Sequence, residues 1–318
     1  MHKLTILLPL KDRHIYTERW LRFNLHDDFL YFIADGSFGD ENEKIIKQWS
    51  RKNILYKKFN PDKNILTYID KMKSSLDEIK TPYVINADND DFLSRATLMK
   101  LISELESSED LVAVQGRIAF FSEKNSRFVS FKRHKDHQHL CNITELDALR
   151  ELVSNFNPFW YALTRTEVQQ NIFSIFERIK LDNAYLAEIF QSAFLLTYGK
   201  VGCNSNISYA RQSNPTTSNA QNDSSLSIEE NPQLDFILDQ NFLDKFNLLC
   251  DELSILLMVD RKEVFKLFRS LYLLAFQNSE KSYKFNELID EIGLRIITKL
   301  KNYFENSLDE NQLLLKIN

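Results

Sequence analysis

Three short segments carry side chains whose types and spacing could do chemistry. In Tyr83-Val84-Ile85-Asn86-Ala87-Asp88-Asn89-Asp90-Asp91-Phe92, an apolar run leads straight into three acids and an Asn. Carboxylates this close repel one another and raise each other's pKa unless a cation or hydrogen-bond donors intervene. A hard divalent ion, Mg²⁺ or Mn²⁺, held by Asp88, Asp90 and Asp91 would relieve the repulsion and could stabilise a departing diphosphate. The competing reading is a solvated acidic turn with Asp91 or Ser94 capping the next helix. In Tyr31-Phe32-Ile33-Ala34-Asp35-Gly36-Ser37, Asp35 could accept a uracil N–H or a ribose hydroxyl, and Gly36 would let a ligand approach the backbone; a plain turn fits equally well. Pro9-Leu10-Lys11-Asp12-Arg13 could set Asp12 and Arg13 against a nucleotide, or leave Arg13 as a surface charge.

Such residues need strands to present them. The first 120 residues alternate apolar runs (Leu4 to Pro9, Phe29 to Ala34, Ile54 to Phe59, Tyr83 to Ala87, Val112 to Arg117) with helical patterns near Thr17 to Asn24, Asp40 to Arg51, Thr67 to Ile79 and Ser94 to Ser107. This βαβα rhythm predicts a mostly parallel sheet with helices on both faces, and ligands at the carboxyl ends of its strands. Residues 118 to 210 mix strand-like stretches (Ile118 to Phe121, Phe128 to Phe131, Trp160 to Arg165) with helical ones (Leu146 to Val153, Leu181 to Leu196). Residues 211 to 232 are rich in Ser and Asn and poor in large apolar side chains, which predicts a loop or linker. Beyond them, Phe242, Phe246, Leu249 and Leu253 recur at helical spacing. The expected organisation is therefore a domain over 1–210, a linker over 211–232 and a helical region over 233–318.

Taken together and in this order, the three segments resemble the family 2 glycosyltransferases and their GT-A relatives. There, strand one ends in a Pro-x-x-Asn/Asp-Arg-like pattern, strand two in an Asp-Gly-Ser-like turn and strand four in a DxD-like motif. The resemblance covers residues 3 to 120, and more loosely runs to 200; Lys11 makes the first pattern one residue longer. It implies the GT-A fold, a Rossmann-like α/β nucleotide-diphospho-sugar transferase architecture with a mostly parallel sheet, in a bacterial subgroup without membrane helices. It further implies a nucleotide-sugar donor met by Pro9, Asp12, Arg13, Asp35, Gly36, Ser37 and Asp88, with Asp35 on the base. Asp88 and Asp90 would form the DxD pair, Asp90 chiefly holding Mn²⁺ or Mg²⁺ with Asp91 as substitute, although the Asp-Asn-Asp-Asp run permits two frames. The family's base opens a later helix, a place matched by Asp182, where one acid stands for the usual two; Glu188, less than two turns on, is the second candidate. Inverting transfer to an acceptor hydroxyl of a glycan, a lipid-linked sugar or a protein, in bacterial surface glycan assembly, follows from the resemblance alone.

Other residues carry weaker expectations. His134, His137 and His139 could complete a metal site but fit an exposed loop better. Trp160 and Tyr161 could stack on a sugar, though strand aromatics are more often core. Arg211 could clamp a diphosphate as a bidentate donor. A net charge of −5 and a pI near 5.8 supply no drive toward nucleic acid. Cys141, Cys203 and Cys250 are too few and too scattered for a disulfide framework. No run reaches the ~18 apolar residues of a spanning helix, so a cytoplasmic protein is expected, with peripheral contact at the inner membrane face and dimerisation as roles open to the C-terminal helices. A sugar-phosphate nucleotidyltransferase would need a Gly-rich loop after strand one, which is missing. A non-catalytic module that keeps the fold but has lost its base is the remaining alternative.

Overall fold

The computed structural model describes residues 2–49, 51–124, 127–133, 143–154, 158–213 and 239–279. The parallel half of the sheet is the part the apolar runs foretold. Strand β1 (Leu4–Leu10) is buried along almost its whole length, as a strand covered on both faces must be. It pairs in parallel with β2 (Leu30–Asp35) and β4 (Tyr83–Asn86), and β2 pairs in parallel with β3 (Ile54–Lys58). The crossovers are α1 (His14–Asn24), α2 (Glu41–Gln48) and α3 (Ile65–Glu78). Helix α3 starts where Asn64 and Thr67 form a reciprocal capping box.

The other half of the sheet is mixed. It contains β5 (Phe92–Leu93), β6 (Leu111–Lys124), β7 (Arg127–Arg133), β8 (Leu163–Arg165) and β9 (Lys200–Ser213), and the order across it is β3-β2-β1-β4-β8-β6-β9-β5, with β7 on β6. Among the described residues this makes one nine-stranded sheet. Strand β8 runs antiparallel between β4 and β6, whereas β6 and β9 are parallel. The β6–β9 register shifts at Leu111/Ala113, Gly116/Arg117 and Arg117/Ile118, irregularities of the kind that bend long strands. A side chain at Gly116 would begin 2.5 Å from Ser208, so glycine is what lets β9 close on β6 there.

Helices α4 (Arg95–Ser107), α5 (Glu145–Ser154), α6 (Thr166–Arg178) and α7 (Ala184–Tyr198) complete the layers, followed by α8 (Gln240–Leu257) and α9 (Arg261–Ser279). One core layer packs α1, α2 and α4 under the sheet through Trp20, Leu21, Ile46, Leu98, Leu101 and Leu105. The other is larger and joins α3, α5, α6 and α7 to α8 and α9. Phe190 of α7 lies 5.7 Å from Phe246 of α8 and 4.9 Å from Phe268 of α9, ring to ring.

Several expectations need revision in detail. The stretch from Trp160 is strand only over Leu163–Arg165, and α6 and β9 were not anticipated. Strand β9 continues to Ser213, past the expected boundary at 210/211. Residues 214–238 lie outside the described part, and so does the expected linker beyond Ser213.

Candidate active site at the carboxyl ends of the parallel strands

Strands β1, β2 and β4 end at Leu10, Asp35 and Asn86, so the three segments singled out from sequence meet at one edge of the sheet. After β1 the chain turns through two non-glycine residues in the left-handed region, Asp12 (φ 54°) and Arg13 (φ 55°). Each such residue costs roughly 1–2 kcal/mol, and the surrounding bonds hold the conformation. The Asp12 amide donates to Ser37 Oγ at 2.7 Å, the Phe38 amide donates to Asp12 Oδ1 at 3.1 Å, and Asn42 Nδ2 donates to the Asp12 carbonyl at 2.8 Å. Asn89 Nδ2 reaches the Arg13 carbonyl at 3.2 Å. Asp12 and Ser37 thus tie the first two loops together, while Pro9, partly buried, pairs with Ala34 inside the sheet.

The second segment is enclosed by protein. Asp35 is fully buried: Oδ1 accepts the Ser37 amide at 2.8 Å, and Oδ2 accepts Tyr56 Oη at 2.8 Å and Lys58 Nζ at 3.1 Å. Its carboxylate braces the turn, with no face open to a nucleobase. The φ of Gly36 is not positive. What needs glycine here is a neighbour, because a Cβ would sit 2.5 Å from the Asp62 carboxyl. Asp62 forms a buried ion pair with Lys71 of α3, whose Nζ also donates to the Leu10 carbonyl at 3.0 Å. That pair underpins both loops and was not foreseen, since nothing in the spacing of Asp62 and Lys71 shows that they converge.

The third segment is the centre of the site. Ligand atoms of Asp88, Asp90 and Asp91 all lie within 4.8 Å of one another. Asp88 accepts Tyr161 Oη at 2.5 Å, and its amide donates to the Tyr209 hydroxyl at 2.9 Å. Tyr161 and Tyr209 stack at 4.2 Å, and the Arg211 guanidinium stands 5.5 Å from the Tyr161 ring centroid. Asp90 accepts Arg13 Nη2 at 2.5 Å. Arg19 Nη2 bonds both the Asp90 carbonyl and Gln212 Oε1, each at 2.6 Å. Asp91 Oδ1 accepts the Gln212 amide at 2.7 Å, but Oδ2 is buried with no partner. The cap of α4 falls to Ser94, which accepts the Thr97 amide, so Asp91 is not spent on the helix.

Burial, reinforced by the charges of Asp90 and Asp88, holds the Asp91 carboxyl well above the ordinary carboxylate range, against the pull of Arg211. Burial and Asp90 likewise raise Asp88, which Arg211 and the Tyr161 hydroxyl partly offset. Glu188 of α7, partly buried, is raised by burial and by Asp88 and lowered by Arg211. The site has therefore gathered Glu188 and Arg211 onto the acidic loop. Asp182 stands elsewhere: it precedes the Asn183 cap of α7 and accepts Asn241 Nδ2 of α8 at 2.8 Å. Tyr161 is a buried partner of Asp88 rather than an open stacking platform, and Trp160 packs against Phe173 at 6.2 Å. His134, His137 and His139 lie outside the described residues. Sequence reasoning missed Arg19, Tyr209 and Gln212, the latter two because β9 itself went unrecognised.

The donor set suits a hard divalent cation. It offers three carboxylates, one with a buried oxygen that no protein group satisfies, and carboxylate oxygens are the ligands that hard cations prefer.

A family model described as glycosyl transferase family 2 matches residues 21–173, just under half of the chain. The sheet order and the placement of the acidic loop at the carboxyl ends of the parallel strands agree with that match, and the fold is of the GT-A type. Among solved structures the chain is similar to S. aureus TarS, with TM-score 0.55 and 12% identity over 98% of this chain and 50% of that one. It is also similar to TarS 1–349 in complex with UDP-GlcNAc (TM-score 0.55, 11% identity, 98% of this chain and 82% of that one). For TarS 1–349 in complex with UDP the TM-score is 0.50, with 13% identity over 89% and 91%. The chain spans about half the length of the longer TarS structure, and at these identities the likeness concerns the fold. No curated protein matches by sequence. No helix among the described residues is long and apolar enough to cross a membrane.

Proposed function

We propose that this protein transfers a sugar from a uridine-diphosphate donor to an acceptor hydroxyl, with inversion, using a divalent metal held by Asp88, Asp90 and Asp91. The observation that carries the reading is the convergence of an acidic loop, a partly buried Arg and a carboxylate of raised pKa at the carboxyl ends of the parallel strands. The uridine part is supported by the UDP and UDP-GlcNAc complexes of a protein with a similar fold. When bound, the metal would supply positive charge against the diphosphate as it departs. Arg211, kept cationic by Tyr161, Asp91, Asp88 and Glu188 around it, offers a planar fork to the same phosphates. Glu188 is the candidate base: its raised pKa suits it to take the acceptor's proton near neutral pH. Asp182, engaged with Asn241, is the less favoured candidate.

Thermal unfolding with a panel of nucleoside diphosphates, each with and without Mn²⁺, tests the donor site. Linkage predicts a rise of the midpoint with UDP and Mn²⁺ together, lost in Asp90→Ala. Equal midpoints throughout would leave a module that keeps the fold without the donor site.

A further inference from the structure

The cation that neutralises Asp90 here is Arg13. Its Nη2 sits 2.5 Å from Asp90 Oδ2, and both side chains are largely shielded, at 19% and 9% exposure. Arg13 is aimed there by the left-handed turn at residues 12 and 13, a conformation that persists only where surrounding bonds impose it. The pairing is nevertheless incomplete, because Arg13 Nε is buried without a partner. A divalent cation bound by the same carboxylate would remove the charge that Arg13 answers. A guanidinium with a free donor then prefers a planar polyanion such as a diphosphate, which it can grip with two parallel bonds.

We infer that Arg13 is a resident counter-cation of Asp90 that must be displaced for the metal to bind and that transfers to the donor's diphosphate. This rests on the metal reading above and adds to it an order of events: metal and nucleotide bind cooperatively because each removes an obstacle to the other. A nucleotide that draws Arg13 away uncovers Asp90, and a metal on Asp90 releases Arg13. By reciprocity the two affinities change by one common factor. In the absence of nucleotide, Arg13 keeps the metal affinity low.

The test measures Mn²⁺ binding by the full chain, followed through the electron-paramagnetic signal of free Mn²⁺, with and without UDP. Without nucleotide, Arg13→Gln is expected to bind Mn²⁺ about tenfold tighter than the parent, the scale of one lost charge-assisted bond, with Arg13→Lys in between. UDP is expected to tighten Mn²⁺ binding in the parent and to do so far less in Arg13→Gln. Asp90→Asn should erase the gain when combined with Arg13→Gln. Equal Mn²⁺ affinity in the parent, Arg13→Gln and Arg13→Lys would overturn the displacement while leaving the metal site standing. No Mn²⁺ binding in any of them, with or without UDP, would overturn both. Tight binding that survives Asp90→Asn would place the ion elsewhere and sink the proposal.

Discussion

Asp88, Asp90 and Asp91 share one loop yet meet three environments: a tyrosine hydroxyl, an arginine and a backbone amide. The same scale separates the two candidate bases. Glu188 feels Asp88 and Arg211, whereas Asp182 is held by Asn241. Glu188→Gln is expected to cut the transfer rate by at least ~100-fold, the usual scale of general-base loss, while Asp182→Asn stays within a few-fold of the parent; initial rates of sugar transfer from UDP-GlcNAc decide between them. Activity should rise with pH through a value above the ordinary ~4.3 of a glutamate, because the base must be ionised. Stability moves the other way. A folded-state pKa raised by burial gives stability that is whole below the ordinary value and lost as pH climbs through the raised one. Glu188→Gln should therefore be at least as stable as the parent at neutral pH while inactive, and a lower melting midpoint would indicate that Glu188 serves structure instead.

Among the elements, the loops after β1 and β2 depend on a strut beneath them. The Asp62–Lys71 pair joins the β3–α3 connection to the Leu10 carbonyl and fills the space beside Gly36. Gly36→Ala would drive a methyl group into the Asp62 carboxyl, and crowding of that kind costs ~1–3 kcal/mol. A fall in the urea midpoint of that size, with weaker UDP binding because the Asp12–Ser37 link shifts, is the expected outcome. An unchanged midpoint would show that the ion pair can move aside freely. Strand β9 is the matching element on the other side of the site. It contributes Tyr209, Arg211 and Gln212 within four residues, two of them bonded directly to the acidic loop.

At the scale of the whole molecule, helices α8 and α9 share the core of the sheet domain. Phe246 is fully buried among Phe190, Phe242 and Phe265. Phe246→Ala is expected to lower stability by ~3–5 kcal/mol and to leave a single cooperative transition in calorimetry. Two separate transitions would mean that the helices unfold on their own. The Asp182–Asn241 bond crosses the same boundary, so an acid that looks functional in the chain joins two parts of the molecule in space.

By itself the sequence determined the parallel half of the sheet, because β1, β2 and β4 must be apolar on both faces and so read as unbroken runs ending in Asp12-Arg13, Asp35-Gly36-Ser37 and Asp88 to Asp91. It also showed that three neighbouring carboxylates need a partner. Helix α6 was readable in principle from Val168, Ile172, Phe173 and Phe176 at helical spacing, yet β9 was not: Lys200 to Ser213 mixes Asn, Ser and Arg with few apolar positions, because part of the strand faces the site. Which acid meets which cation was decided only by the tertiary structure. Arg13 at the N-cap of α1 and Arg19 within that helix, Glu188 on α7 and Arg211 on β9 come from three places in the chain, the first far from the other two, and electrostatic partners act through distance in space, which spacing along the chain does not encode.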